Sequence, residues 1–160
     1  MSVVSQLLGI ALEKNLMLTS AESCTGGMVA AALTDLPGSS AMMERGFVTY
    51  TNVAKIEMLG VLPATLQAHG AVSEAVAAEM AQGALAHSNA QLSVSVTGIA
   101  GPGGSEHKPE GRVCFGVAHK AGFVVETKEF GAIGRDLVRA AARDHALGLL
   151  LDSIQTLPNS

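Results

Sequence analysis

The chain has 160 residues, 48% of them hydrophobic and only 15% charged, with a formal net charge of −4. That length suits one domain with a well-filled core, and the acidic balance argues against a general nucleic-acid surface, which needs a basic stripe. Cys24 and Cys114 are the only two cysteines; they form no zinc-binding spacing and point to a reducing, cytoplasmic setting.

Val4, Leu7, Leu8, Ala11 and Leu12 keep helical spacing and predict an amphipathic helix over residues 3–14. Glu13 and Lys14 interrupt its apolar stretch and no basic segment precedes it, so it does not read as a signal peptide. Leu16–Ser20 predicts a buried strand, and Thr25–Leu33 a helix that breaks at Leu36-Pro37-Gly38. Gly46–Tyr50 has strand composition, and Asn52 is a candidate cap for a short helix through Leu59. A helical turn fits between Pro63 and His69. Ser73 and Glu74 then open a helix whose stripe is Val76, Ala77, Met80, Ala81, Ala84 and Leu85.

Leu92–Thr97 alternates hydroxyl and apolar side chains, a strand signature, and runs into the glycine-rich loop Gly98–Ser105. The stretch from Met80 to Ser105 lacks Asp, Glu, Lys and Arg. Its Gln82, His87, Asn89 and glycines nevertheless exclude a membrane span. Arg112–His119 and Phe123–Phe130 predict a hairpin around Lys120-Ala121-Gly122, and a long helix follows from Gly134 to Ile154. Residues 1–160 therefore read as a single α/β domain, layered α/β/α, with a mixed, partly parallel sheet that ends in an antiparallel hairpin. The low charge content favours a homo-oligomer.

The chemistry concentrates at strand ends, where open α/β sheets bind ligands. In Ala21-Glu22-Ser23-Cys24-Thr25-Gly26-Gly27, a strand turns into a helix beside a hydroxyl. The free N–H groups there, around Cys24, Thr25, Gly26 and Gly27, suit an oxyanion or a phosphate. Ser23 needs a base, and no histidine sits in a recognisable triad motif, although triads assemble in space.

Lys55, one turn into the helix after Tyr50, is the sharper candidate. Burial would lower its pKa, and Tyr50, the only tyrosine, could relay the proton. A lone lysine on a short helix is more often a solvated charge, so spacing alone does not decide this. Cys24 is a rival nucleophile at the same turn, or simply a small buried residue.

The loop that opens with Thr97, Gly98, Ala100 and Gly101 could bring backbone N–H groups to an anion, with Lys108 and Arg112 nearby. It matches neither the P-loop nor the dinucleotide fingerprint. Arg135, Arg139 and Arg143 form a basic stripe on the last helix. An anion site or a subunit contact competes there with the commoner solvated face, partnered by Asp136 and Asp144.

Taken together, the stretch Ala21–Gly27, Gly38-Ser39-Ser40, Arg45–Tyr50, Asn52 with Lys55, Gly70-Ala71-Val72-Ser73 and Thr97–Pro102 resemble the CinA C-terminal domain family over nearly the whole chain. The resemblance implies hydrolysis of the carboxamide of nicotinamide mononucleotide, with Ser23, Tyr50 and Lys55 as catalytic residues. It implies a small-molecule nucleotide substrate, no metal and no organic cofactor, and no membrane or nucleic-acid partner. The chain departs from the family pattern at Gly103–Glu110, where the loop is one residue shorter and Glu110 stands in place of an apolar residue. A different way of holding substrate is the expectation there. A pocket that binds such a nucleotide without turning it over is the competing reading.

Overall fold

Residues 18–22 form a strand, β1 (Leu18–Glu22), in which every side chain is buried. The computed structural model describes residues 1–105 and 107–160. Ahead of β1 lies α1 (Val3–Lys14), capped by Ser2 and ended by Asn15 in the left-handed conformation. After it come α2 (Met28–Leu33), β2 (Met43–Val48), α3 (Asn52–Leu59), α4 (Pro63–His69) and α5 (Glu74–Ala86). The chain closes with β3 (Leu92–Gly98), β4 (Arg112–His119), β5 (Gly122–Glu129) and α6 (Arg135–Thr156).

The five strands lie in the order β2-β1-β3-β4-β5. β1 runs parallel to both β2 and β3, whereas β4 and β5 are antiparallel. Helices α1, α2 and α6 cover one face, packing Leu7, Val29, Val138 and Leu150 over Val94, Val96 and Phe115. Helices α3 and α5 cover the other, where Leu59, Val76 and Met80 meet Ala21. This is the layered, mixed-sheet architecture that the sequence predicts.

The alternation in β3 has a structural use on both sides. Val94 and Val96 enter the larger core, while the hydroxyls of Ser93 and Ser95 donate to the carbonyls of Ala81 and Ala77 in α5, at 2.8 and 2.6 Å. Hydroxyls that reach helix carbonyls can be buried without the cost of an unpaired polar group. Small residues permit this close approach. A Cβ on Gly83 of α5 would stand 2.8 Å from the carbonyl carbon of Leu59, at the end of α3.

Some boundaries differ from the sequence reading. β1 ends at Glu22 rather than Ser20, because neighbouring strands on both sides pair with Ala21 and Glu22. α2 starts at Met28 rather than Thr25; Gly26 and Gly27, at φ 59° and 111°, form the turn before it. β2 begins at Met43 and ends at Val48, not Tyr50. The cap of α3 is Thr51, whose hydroxyl accepts from the Ala54 amide at 3.1 Å, and Asn52 is the first helical residue. No helix among the described residues is long and apolar enough to cross a membrane.

Candidate active site

Side chains alternate along β1, so Ala21 and Ser23 face α3 and α5 while Glu22 faces α2. Ser23 is the first residue beyond the strand, tied to β3 by its amide, which donates to the Val96 carbonyl at 2.9 Å. From α3, Lys55 reaches across to it. The Lys55 ammonium nitrogen lies 3.0 Å from Ser23 Oγ, 3.1 Å from the Thr49 carbonyl and 3.3 Å from the Tyr50 carbonyl. Lys55 is 1% exposed, the bulkiest fully buried side chain in the core.

No carboxylate among the described residues pairs with it. Burial therefore pushes the Lys55 pKa below its ordinary 10.5. A neutral amine 3 Å from a hydroxyl can accept its proton. The solvated-charge reading does not hold for this lysine.

An open cavity of about 350 Å³ lies over this pair. Of the residues singled out from the sequence, Ser23, Cys24, Tyr50, Lys55, Thr97, Gly98, Ala100, Gly101 and Arg135 line it. Thr25, Gly26, Gly27 and Arg139 do not. No Asp or Glu contributes to its described wall, whereas Arg135 and Lys108 do. Glu106, within the Gly103–Glu110 loop, lies outside the described residues.

The individual roles are more varied than spacing indicates. Tyr50 presents its backbone carbonyl to Lys55 and Ser23, while its phenol oxygen accepts from Arg135 Nη2 at 2.8 Å. The other arm of Arg135 donates to the Gly101 carbonyl at 2.7 Å. The Thr97 hydroxyl is committed to the Ala71 carbonyl at 2.8 Å. Gly98 is required by packing, since a Cβ there would come within 2.7 Å of Val113 Cγ2.

Lys108 donates to the carbonyls of His69 and Val72, both at 2.6 Å, tying the glycine-rich loop to the turn before α5. Arg112 pairs with Glu129 instead of facing the cavity. Arg143 pairs with Asp144; Arg135, although exposed, is tied to Gly101 and Tyr50, and Arg139 is half-buried. Arg139 turns inward and donates to the Cys24 carbonyl at 3.0 Å.

Two further readings change. The first-turn amides of α2 do not stand open: the buried Glu22 carboxylate accepts from Gly27, Val29 and Ala30, at 3.2, 2.9 and 2.9 Å, and the Gly26 amide donates to Ser23. Among the described residues, the amides of Cys24 and Thr25 donate to no carbonyl or hydroxyl. The Cys24 thiol is pushed up to about 11, chiefly by burial, which keeps it protonated and a poor nucleophile. None of the described histidines lines the cavity.

A family model described as the CinA C-terminal domain matches residues 1–154. The chain belongs to that family. It is 51% identical over 149 residues to the nicotinamide-nucleotide amidohydrolase PncC of Escherichia coli (strain K12), covering 92% of this chain and 90% of that one. It is 56% identical over 115 residues to a CinA-like protein of Chlorobaculum tepidum, of which it spans only 27%. Among solved structures, the competence/damage inducible protein CihA from Agrobacterium tumefaciens superposes with a TM-score of 0.92 at 45% identity, over 96% of this chain and 94% of that one. A CinA superfamily protein from Escherichia coli superposes at 0.89 with 36% identity, over 95% and 90%.

Within this CinA domain, the residues that spacing missed are Glu22 and Asn52, together with the carbonyls of Thr49 and Tyr50. Asn52 lines the cavity from the start of α3. For Glu22 a signal existed: a carboxylate a few residues ahead of a helix's first turn is a natural acceptor for its orphan donors.

Proposed function

We propose that this chain is a nicotinamide-nucleotide amidohydrolase that hydrolyses the carboxamide of nicotinamide mononucleotide to nicotinic acid mononucleotide and ammonia. The observation that carries the reading is the buried Lys55 amine 3.0 Å from Ser23 Oγ, without a carboxylate partner, at the floor of a cavity that offers cations and no described acids. The 51% identity to PncC supplies the substrate class.

In this mechanism neutral Lys55 takes the Ser23 proton as Oγ bonds to the carboxamide carbon. The Cys24 amide, directly after the nucleophile, donates to the developing oxyanion. Lys55 returns its proton to the departing nitrogen, the C–N bond breaks, and ammonia leaves an acyl ester on Ser23. Water then attacks the ester with Lys55 as base; the carboxylate product forms and Ser23 regains its proton. Every proton is moved by a side chain already in place, so no metal or organic cofactor enters. Arg135 is the proposed partner for the substrate phosphate.

We assign residues 1–160 to one such domain, working in pyridine-nucleotide salvage in the cytoplasm. Two free, buried cysteines agree with a reducing compartment. A homo-oligomer is supported by exposed Val53 and Leu62 on the α3–α4 side, and light scattering tests it. The functional test is ammonia release from nicotinamide mononucleotide by wild type, Ser23→Ala, Lys55→Met and Cys24→Ala. Loss by roughly a thousandfold or more in the first two variants, with the third active, supports the reading. A wild type that binds the nucleotide without releasing ammonia overturns it.

A further inference from the structure

We infer that Glu22 is a positioning residue for the reaction: its carboxylate holds the Ser23–Gly27 turn in the shape that aims Ser23 and leaves the Cys24 amide uncommitted. The inference rests on the proposed function, and it uses a buried acid that the mechanism leaves idle.

Glu22 is fully buried, and a carboxylate in that position must be satisfied by donors. Four supply the need. Oε1 accepts from the Thr25 hydroxyl at 2.6 Å and from the amides of Gly27 and Val29, while Oε2 accepts from Ala30. All four donors belong to the turn and to the helix that this turn opens. The rest of the sheet does not depend on the carboxylate, because β1 is held by β2 and β3 through its backbone.

The same residue reaches the other half of the pair through its main chain. The Glu22 carbonyl accepts from the Thr49 amide at 2.8 Å, and the Thr49 carbonyl in turn accepts from the Lys55 amine at 3.1 Å. Arg139 steadies the turn from α6 by its bond to the Cys24 carbonyl. The turn is thus held on three sides. The amides of Gly26 and Gly27 are spent on Ser23 and Glu22, while those of Cys24 and Thr25 find no acceptor among the described residues, and the Cys24 amide is the one placed beside the nucleophile. A shift of about 1 Å in such a turn is enough to cost on the order of a hundredfold in rate.

The experiment compares wild type, Glu22→Gln and Thr25→Val in steady-state hydrolysis of nicotinamide mononucleotide, with rates normalised to folded protein and followed across pH. Glu22→Gln keeps the shape of the side chain but turns an acceptor into a donor, facing an amide. Its kcat is expected to fall roughly tenfold to a hundredfold, with KM within threefold of wild type and the pH midpoint of kcat/KM unmoved, because Lys55 keeps its surroundings. Thr25→Val removes one donor and is expected to lower kcat less, in the same direction. If Glu22→Gln fails to fold, Thr25→Val decides alone.

Rates per folded molecule within twofold of wild type in the folded variants would overturn the inference. So would a KM that rises tenfold with kcat retained, or a displaced pH midpoint. Phosphonylation of Ser23 by a fluorophosphonate probe separates this inference from the reading it rests on. A wild type that is silent towards the nucleotide but labels at least tenfold faster than the variants would sink the substrate assignment and keep the positioning role. Equal labelling in all three would sink the positioning role.

Discussion

Arg135 and Tyr50 meet through their side-chain ends: the guanidinium donates to the phenol oxygen at 2.8 Å, on the outer side of the cavity, while Lys55 touches only Tyr50's carbonyl. The proton relay foreseen for Tyr50 therefore has no direct path in this arrangement. Tyr50→Phe is expected to keep at least a tenth of wild-type kcat and to raise KM, because it frees Arg135 from one of its two restraints. Steady-state kinetics decide the matter. A thousandfold fall in kcat would restore the phenol to the chemistry.

Lys55 sets the pH dependence. Its pKa lies below 10.5 in the folded chain because burial disfavours the ammonium. The competent form is the neutral amine, so kcat/KM should rise with pH through that lowered value and then level. Lys55→Arg should be inactive across the accessible range, since a guanidinium does not give up its proton. The stability effect has the same sign. Between the folded pKa and 10.5 the unfolded chain binds more protons, so stability climbs with pH across that window. Denaturant titrations of Lys55→Met should show a flatter slope there. An unchanged slope would contradict the depressed pKa.

Cys24 offers a sharp contrast. A thiol pushed up to about 11 and 5% exposed should resist alkylation. Treatment with iodoacetamide at neutral pH is expected to leave activity intact, and Cys24→Ala to retain most of it. Rapid, substrate-protected inactivation would make the thiol a reacting group.

Gly83 links packing to catalysis. Its place in α5 allows backbone contact with Leu59, at the end of the helix that carries Lys55. Gly83→Ala must push the two helices apart, at a cost of about 1–3 kcal/mol. A lowered Tm is expected, together with reduced kcat at temperatures where the variant is still folded. A Tm unchanged within one degree would mean that the helices part freely.

The fold was legible in the sequence wherever periodicity was strong. α1, α3, α5, the hairpin and α6 each carry a clean stripe, alternation or terminal signal, and their order alone implies a mixed sheet. β1 was harder to delimit because a strand covered on both faces has no alternation, and Thr19-Ser20-Ala21-Glu22 resembles a polar turn. The dyad of Ser23 and Lys55 could be read as candidates from their places after strands. Their meeting could not, since it depends on how far α3 reaches over β1. The fate of the arginines was hidden for a related reason. Arg135, Arg139 and Arg143 share one spacing, yet only the first two face groups at the carboxyl ends of the strands, which is a property of helix docking.

The hydroxyls of β3 act as an index between strand and helix. Ser93 and Ser95 each find a carbonyl of α5, and Thr97 finds that of Ala71 just ahead of it. A slide of α5 by one residue would part the buried hydroxyls of Ser93 and Ser95 from their carbonyls, so the helix has one setting along the sheet rather than a continuum. The glycine-rich loop springs from the last of those three positions and inherits that setting. A wall built largely of glycine and small residues is in this way located by the rack behind it.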